Sequence, residues 1–195
     1  MRWNGWYFLL AMKTASLSTP QTAEVQGRHF YQFYKGRDDF FHVVIPFLIM
    51  GLENQEACLW VVSRSTGVLE AVEAFQRIYD LNPFIESGQL VILPTERWYL
   101  DRGRFSTAKT MQRAKKFVDD KERRGFKAFR EVGDLGWLEG SDWGEFQSYE
   151  KKTHQWIQKL RMIAICAYPI HHCSVAQAKD ILDHHDRIFQ SHPQS

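Results

Sequence analysis

Five consecutive apolar residues, Cys58-Leu-Trp-Val-Val62, sit between polar stretches and are drawn largely from β-branched and aromatic types. A strand that is apolar at every position has no face to turn toward water. It belongs in a sheet covered on both sides, the environment of parallel strands. Gln89-Leu-Val-Ile-Leu93 and Ile163-Ala-Ile-Cys-Ala-Tyr168 read the same way, His29-Phe-Tyr-Gln-Phe-Tyr34 is an aromatic run of strand character, and a further strand is expected near Ala128-Phe-Arg130.

Between these runs the apolar period lengthens. From Arg37, Phe40, Val44, Leu48 and Leu52 recur every four residues, with Asp38 and Asp39 where a first helical turn favours acids. Pro46 lies inside that stretch and predicts a kink or a late helix start. Val68, Val72, Phe75 and Tyr79 mark a second helix stopped by Asn82-Pro83, and a long polar helix is expected from about Ser106 to Arg124. Trp143, Phe146, Thr153, Ile157 and Leu160 outline a fourth. Val175, Ala178, Ile181, Leu182, His185 and Phe189 outline the last. Strands alternating with helices predict right-handed βαβ units: an α/β fold of three layers, with a mostly parallel sheet and helices on both faces. Ligands of such sheets bind beyond the carboxyl ends of the strands, here after Tyr34, Val62, Leu93, Arg130 and Tyr168.

The 195 residues suit one domain, and 44% hydrophobic with 25% charged residues excludes a disordered or fibrous chain. The expected organisation is a flexible leader over 1–26, one domain over 27–190 and a loose tail over 191–195. A short apolar run near the start is cut by Lys13, and no stretch has the length of a membrane span. Cys58, Cys166 and Cys173 are odd in number and widely spaced, which fits a reducing cytoplasm better than a disulfide framework.

A net charge of +2 implies no global attraction for nucleic acid. The charge is locally uneven. Arg97 to Arg130 carries twelve Lys or Arg against four acids, and Glu131 to Glu150 carries six acids and no base. Stacking aromatics are sparse among the bases, so a solvated face is favoured over nucleic-acid contact. A protein-docking surface including Lys115, Lys116 and Arg124 is the sharper alternative.

Catalytic signatures are absent. The turn after the first strand, Tyr34-Lys-Gly-Arg-Asp-Asp39, holds one glycine and two carboxylates where a phosphate loop needs several glycines and a lysine. No GxGxxG, GxSxG or HExxH pattern occurs. His171-His172-Cys173 and His184-His185 bring potential metal ligands to the last strand–helix unit. Yet His185 falls on an apolar helix face and no pair has i, i+4 spacing, so satisfied or exposed histidines are expected and no metal or cofactor is assigned. Cys166, mid-strand among apolar neighbours, reads as a small hydrophobe rather than a nucleophile. His29, Tyr31, Tyr34, Arg130, Trp137, Glu150 and Tyr168 have the types to line a pocket with aromatic walls, one base and one acid; ordinary core packing is the competing account.

Several short segments in order resemble one family. His29-Phe-Tyr-Gln-Phe-Tyr34, Pro46-Phe-Leu-Ile-Met-Gly-Leu52, Asn54-Gln-Glu-Ala-Cys58, Gly103-Arg-Phe105, Arg130, Gly136-Trp-Leu138, Tyr149-Glu150, Cys166-Ala-Tyr168 and His185 are similar to the MEDS family, the methanogen/methylotroph DcmR sensory domain, over about 27–190. Asp186 departs from it, standing where the family often has proline. The resemblance implies a RecA/KaiC-like core lacking the phosphate loop. It also implies a non-enzymatic cytoplasmic domain that senses small molecules, hydrocarbon derivatives among them, for a histidine kinase, an anti-sigma factor or a DNA-binding regulator. Its recurrent residues carry over here as candidate ligand contacts: His29, Tyr34, Arg130, Trp137, Tyr149, Glu150, Cys166 and Tyr168. A nucleotide-hydrolysing relic, a thiol catalyst using Cys166 and a ligand-free docking module remain the alternatives.

Overall fold

The computed structural model describes residues 27–138 and 142–189. The expected leader over 1–26 and tail over 191–195 lie outside the described residues. The chain runs β1 (Arg28–Tyr34), α1 (Arg37–Glu53), β2 (Ala57–Val62), α2 (Val68–Gln76), α3 (Asn82–Glu86) and β3 (Leu90–Pro94). It continues through α4 (Thr95–Trp98), the antiparallel pair β4 (Leu100–Asp101) and β5 (Arg104–Phe105), and α5 (Thr107–Arg123). It ends with β6 (Phe129–Asp134), α6 (Trp143–Ile157), β7 (Met162–Pro169), α7 (Val175–His184) and β8 (Arg187–Ile188). Six strands form one parallel sheet in the order β3-β2-β6-β7-β1-β8.

All six residues of β2 are buried, as its unbroken apolar run requires. Trp60 and Val62 face α1 and α2 with Phe40, Leu48 and Phe75, whereas Leu59 and Val61 face the layer of α5, α6 and α7 with Phe146, Tyr149 and Ile181. Trp60 is fully buried and meets Phe40, Phe41 and Phe75 edge-on, contacts worth about 0.5–1.5 kcal/mol each beyond burial.

Three expectations need correction. Of the kink or late start expected at Pro46, the late start is overturned, since the first helix begins at Arg37; Val44, Ile45, Phe47, Leu48 and Ile49 are buried around the proline, and their packing outweighs one lost backbone bond. Asn82-Pro83 does not merely stop a helix but opens the short α3, with proline in its first turn. The last helix ends at His184, short of Phe189. There His185 turns extended, the Asp186 carboxylate accepts the His29 N–H at 2.7 Å, and Asp186 N–H donates to the His29 carbonyl at 2.8 Å. These bonds peel the chain off the helix and lay β8 beside β1, with Asp186 as the clamp. The polar helix α5 exposes Lys115 and Lys116, while Arg124 just beyond it donates to the Ser87 carbonyl.

Candidate functional site

The carboxyl ends of β1, β2 and β6 converge on Asp134, which is fully buried. Its Oδ1 accepts from the Tyr34 hydroxyl at 2.8 Å and from Gly136 N–H at 3.0 Å. Its Oδ2 accepts from Ser63 N–H at 3.1 Å, the Ser63 hydroxyl at 2.7 Å and the Thr66 hydroxyl at 2.5 Å. Burial, then the Asp134 charge, holds the Tyr34 phenol well above its ordinary range. A side chain at Gly136 would collide with Ser65, Ser63 and Tyr34. The crevice where a parallel sheet offers a ligand site is therefore filled by the protein's own hydrogen bonds, and the Asp134 carboxyl has its acceptor positions occupied.

A second polar cluster lies on the sheet face beneath α6 and α7. His29 of β1 and Cys166 of the adjacent β7 point to that face, because Tyr31 pairs with Cys166 and His29 shares its parity. Glu150 descends from α6, and His185 follows α7. His29 Nε2 lies 3.2 Å from Cys166 Sγ and 3.5 Å from Glu150 Oε2. His185 Nε2 lies 3.1 Å from the same carboxylate oxygen, and Cys166 Sγ is 3.7 Å from Glu150 Oε1. One atom from each of the four residues can be chosen so that all lie within 4.8 Å of one another, making this the set among the described residues able to share a metal ion. His29 and His185 rings stack obliquely at 4.2 Å, and His185 Nδ1 is 2.6 Å from the Ile181 carbonyl.

The electrostatics argue against a nucleophilic thiolate at Cys166. Burial first, then the neighbouring His185 and His154, keep His29 well below the ordinary imidazole range, so it is neutral near pH 7. Burial, then Glu150 and Glu131, push the Cys166 thiol well above the ordinary thiol range, against thiolate formation. A catalytic base also needs its far nitrogen oriented by a third group. Here Nε2 of His29 faces both the thiol and Glu150, and the ring is otherwise approached by the His184 backbone without an aligned bond to Nδ1.

Glu150 and His185 also line a narrow cleft between α6 and α7, about 10 Å³ and so wide enough for no more than a water molecule as it stands, beside Tyr168, Phe146, Ile181 and Trp143. Trp143 Nε1–H donates to Asp180 Oδ2 at 3.0 Å, tying the two helices together beside that cleft.

The structure divides the eight candidate residues among separate places. His29, Glu150 and Cys166 meet in the cluster, Tyr168 walls it and Tyr149 packs beside it among Tyr99, Phe105 and Phe146. Trp137 stacks on Tyr99 at 5.2 Å and touches Phe146 edge-on, one shell behind the cleft. Tyr34 belongs to the Asp134 network. Arg130 faces the opposite side of the sheet: it pairs with Glu56, donates to the Phe47 carbonyl at 3.0 Å, lies over the Phe47 ring and passes so close to Gly51 that a side chain there would strike it. That is a clamp between α1 and the sheet, so Arg130 and Glu150 do not face a common ligand. His185, Glu131 and Asp134 are not among the contacts expected from sequence; of the three only His185 carries a signal there, in the His184-His185 pair and in the family resemblance.

A family model described as "MEDS: MEthanogen/methylotroph, DcmR Sensory domain" matches residues 28–186. The chain belongs to the MEDS family. That family is a sensory one, and membership carries a sensory or regulatory role. Among solved structures, the crystal structure of the flagellar accessory protein FlaH from Methanocaldococcus jannaschii is similar at a TM-score of 0.50 and 12% identity, over 86% of the MEDS chain and 74% of FlaH. That likeness concerns fold alone and agrees with a RecA-like α/β core. No curated protein matches the chain. Among the described residues no helix is long and apolar enough to cross a membrane.

Proposed function

We propose that this MEDS chain is a cytoplasmic regulatory domain that binds a small, partly polar organic molecule, a hydrocarbon derivative being the class implied by the family resemblance, in the cleft between α6 and α7. The observation that carries this reading is the pairing of an aromatic-walled cleft with a floor of buried polar groups, of which Glu150 Oε2 and His185 Nε2 lack aligned hydrogen bonds. Trp143, Phe146 and Tyr168 supply apolar walls. The ligand's polar end meets Glu150 and His185 and supplies the missing partner.

Entry parts α6 from α7 at the Trp143–Asp180 bond, and α7 leads directly into His185 and β8 at the sheet edge. A ligand that binds the parted state better shifts the population a partner reads, with no bond broken. The partner is a histidine kinase, an anti-sigma factor or a DNA-binding regulator. The test is a thermal-shift screen of short-chain alcohols, amines and carboxylates, followed by hydrogen exchange on the best binder. Stabilisation that vanishes in Glu150→Gln, with altered protection in α7 and β8, is expected. A binder that stabilises Glu150→Gln equally, or leaves α7 and β8 unchanged, places its site elsewhere and overturns the reading.

A further inference from the structure

We propose that His29, Glu150, Cys166 and His185 together form a binding site for a single divalent ion of the zinc class. The inference rests on the geometry of the four donors and does not require that the cleft bind an organic ligand.

Spacing is the first support. With metal–nitrogen and metal–oxygen bonds of about 2.0–2.2 Å and a metal–sulfur bond of about 2.3 Å, the edges of a coordination tetrahedron run about 3.3–3.8 Å. The separations of 3.2, 3.5 and 3.1 Å, with 3.7 Å to the other Glu150 oxygen, overlap that range, and the four donors all lie within 4.8 Å of one another, so an ion need draw in only the more distant pairs.

Orientation is the second. His185 Nδ1, 2.6 Å from the Ile181 carbonyl, has its proton committed there, which leaves Nε2 unprotonated with a free lone pair beside Glu150 Oε2. The two atoms are 3.1 Å apart, yet neither has an aligned hydrogen bond. A ring-nitrogen lone pair beside a carboxylate oxygen is repulsive unless a proton or a metal ion lies between them. His29 Nε2 faces the same oxygen at 3.5 Å.

Rigidity is the third. His29 and Cys166 sit on adjacent strands, Glu150 on a helix of 15 residues, and Asp186 clamps the segment holding His185 to the backbone of His29. Two imidazoles, a thiol and a carboxylate are a borderline-to-soft donor set, which selects zinc, cobalt or ferrous iron over magnesium or calcium. On binding, the ion replaces the thiol proton: a metal–sulfur bond forms, the S–H bond breaks and the proton passes to solvent.

The test uses the full chain stripped of metal and titrated with Co2+, then with Zn2+, the bound metal being counted after gel filtration. Expected are a single tight equivalent, a thiolate-to-cobalt charge-transfer band in the near ultraviolet, and visible bands of the intensity a tetrahedral site gives. Cys166→Ser should abolish the charge-transfer band, and His185→Gln should weaken binding by more than the about 10–100-fold that loss of a group supporting a ligand costs. The exposed His171→Gln/His172→Gln pair should change neither. Absence of a tight equivalent in the wild-type chain, or a cobalt spectrum without the sulfur band, overturns the proposal, and the wild-type result decides even if a variant fails to fold. Organic-ligand stabilisation measured on the stripped chain separates failure of this inference from failure of the sensing reading.

Discussion

Two buried polar clusters sit on the same sheet and are satisfied in opposite ways. Around Asp134, five donors from the ends of β1, β2 and β6 meet the two oxygens of one carboxyl. Around Glu150, burial is equally deep, but the groups present are mostly acceptors and several have no aligned partner. Buried polar groups that find all their partners inside the protein hold the fold, whereas buried groups left without them point to a partner from outside. The place where an α/β sheet ordinarily binds ligands has thus become structural, and the unsatisfied chemistry has moved to one face of the sheet.

The largest expected effect comes from breaking the saturated cluster. Asp134→Ala removes the acceptor of five bonds and leaves the Tyr34, Ser63 and Thr66 hydroxyls and two backbone N–H groups to be rehydrated in a closed space. A loss of about 3–5 kcal/mol is expected from chemical denaturation. A loss below about 1 kcal/mol would mean that the donors are readily rehydrated and that the contrast between the clusters is only apparent.

A smaller effect, of opposite sign, is expected beside the unsaturated cluster. Glu131 lies on the same sheet face and is met by Glu150 of α6, by Cys166 of β7, and by Tyr99 and Tyr149. Burial above all, then the Glu150 charge, pushes its carboxyl from 4.5 up to about 7. Below 4.5 folded and unfolded chains both carry the proton, and Glu131 has no effect on stability. Between 4.5 and about 7 the unfolded chain releases its proton while the folded chain retains it, so stability falls as pH rises. Above that window the penalty is complete, at about 3 kcal/mol. In the metal-free chain, Glu131→Gln should therefore match wild type in acid and exceed it by about 3 kcal/mol near pH 8. Equal stability at both ends of the range would show that Glu131 is solvated and that this region carries no electrostatic strain.

How much of this was legible in sequence depended on whether a residue's environment is local. β2 announces itself because every position is apolar. β6 was visible only as far as Arg130, because Glu131, Gly133 and Asp134 hide its continuation. Once its full length is known, strand parity sends Arg130 and Glu131 to opposite faces, which is why Arg130 parts company with Glu150. The two-residue β8 carries no pattern at all; backbone bonds and the Asp186 clamp define it. His29 and Glu150 are legible by residue type as pocket-lining candidates, and Cys166 as a contact only through family likeness. Their meeting with His185 depends on chain ends that come together only through the β1–β8 pairing, and no spacing along the chain encodes that.

The smallest stability effect should come from the centre of the unsaturated cluster. Cys166 Sγ contacts His29 Nε2 at 3.2 Å and Glu150 Oε1 at 3.7 Å, and a thiol is a weak hydrogen-bonding group. Cys166→Ala removes one sulfur and leaves a void smaller than a methylene-rich truncation would, so the metal-free chain should lose about 1 kcal/mol in urea denaturation. The contrast with Asp134→Ala isolates the variable, since both residues are buried and both touch several elements, and they differ in how completely their polar neighbours depend on them. A loss from Cys166→Ala as large as that from Asp134→Ala would show that the thiol organises His29 and Glu150 as tightly as Asp134 organises its donors. The sheet would then carry two structural networks, and the case for an external partner at Glu150 would fall.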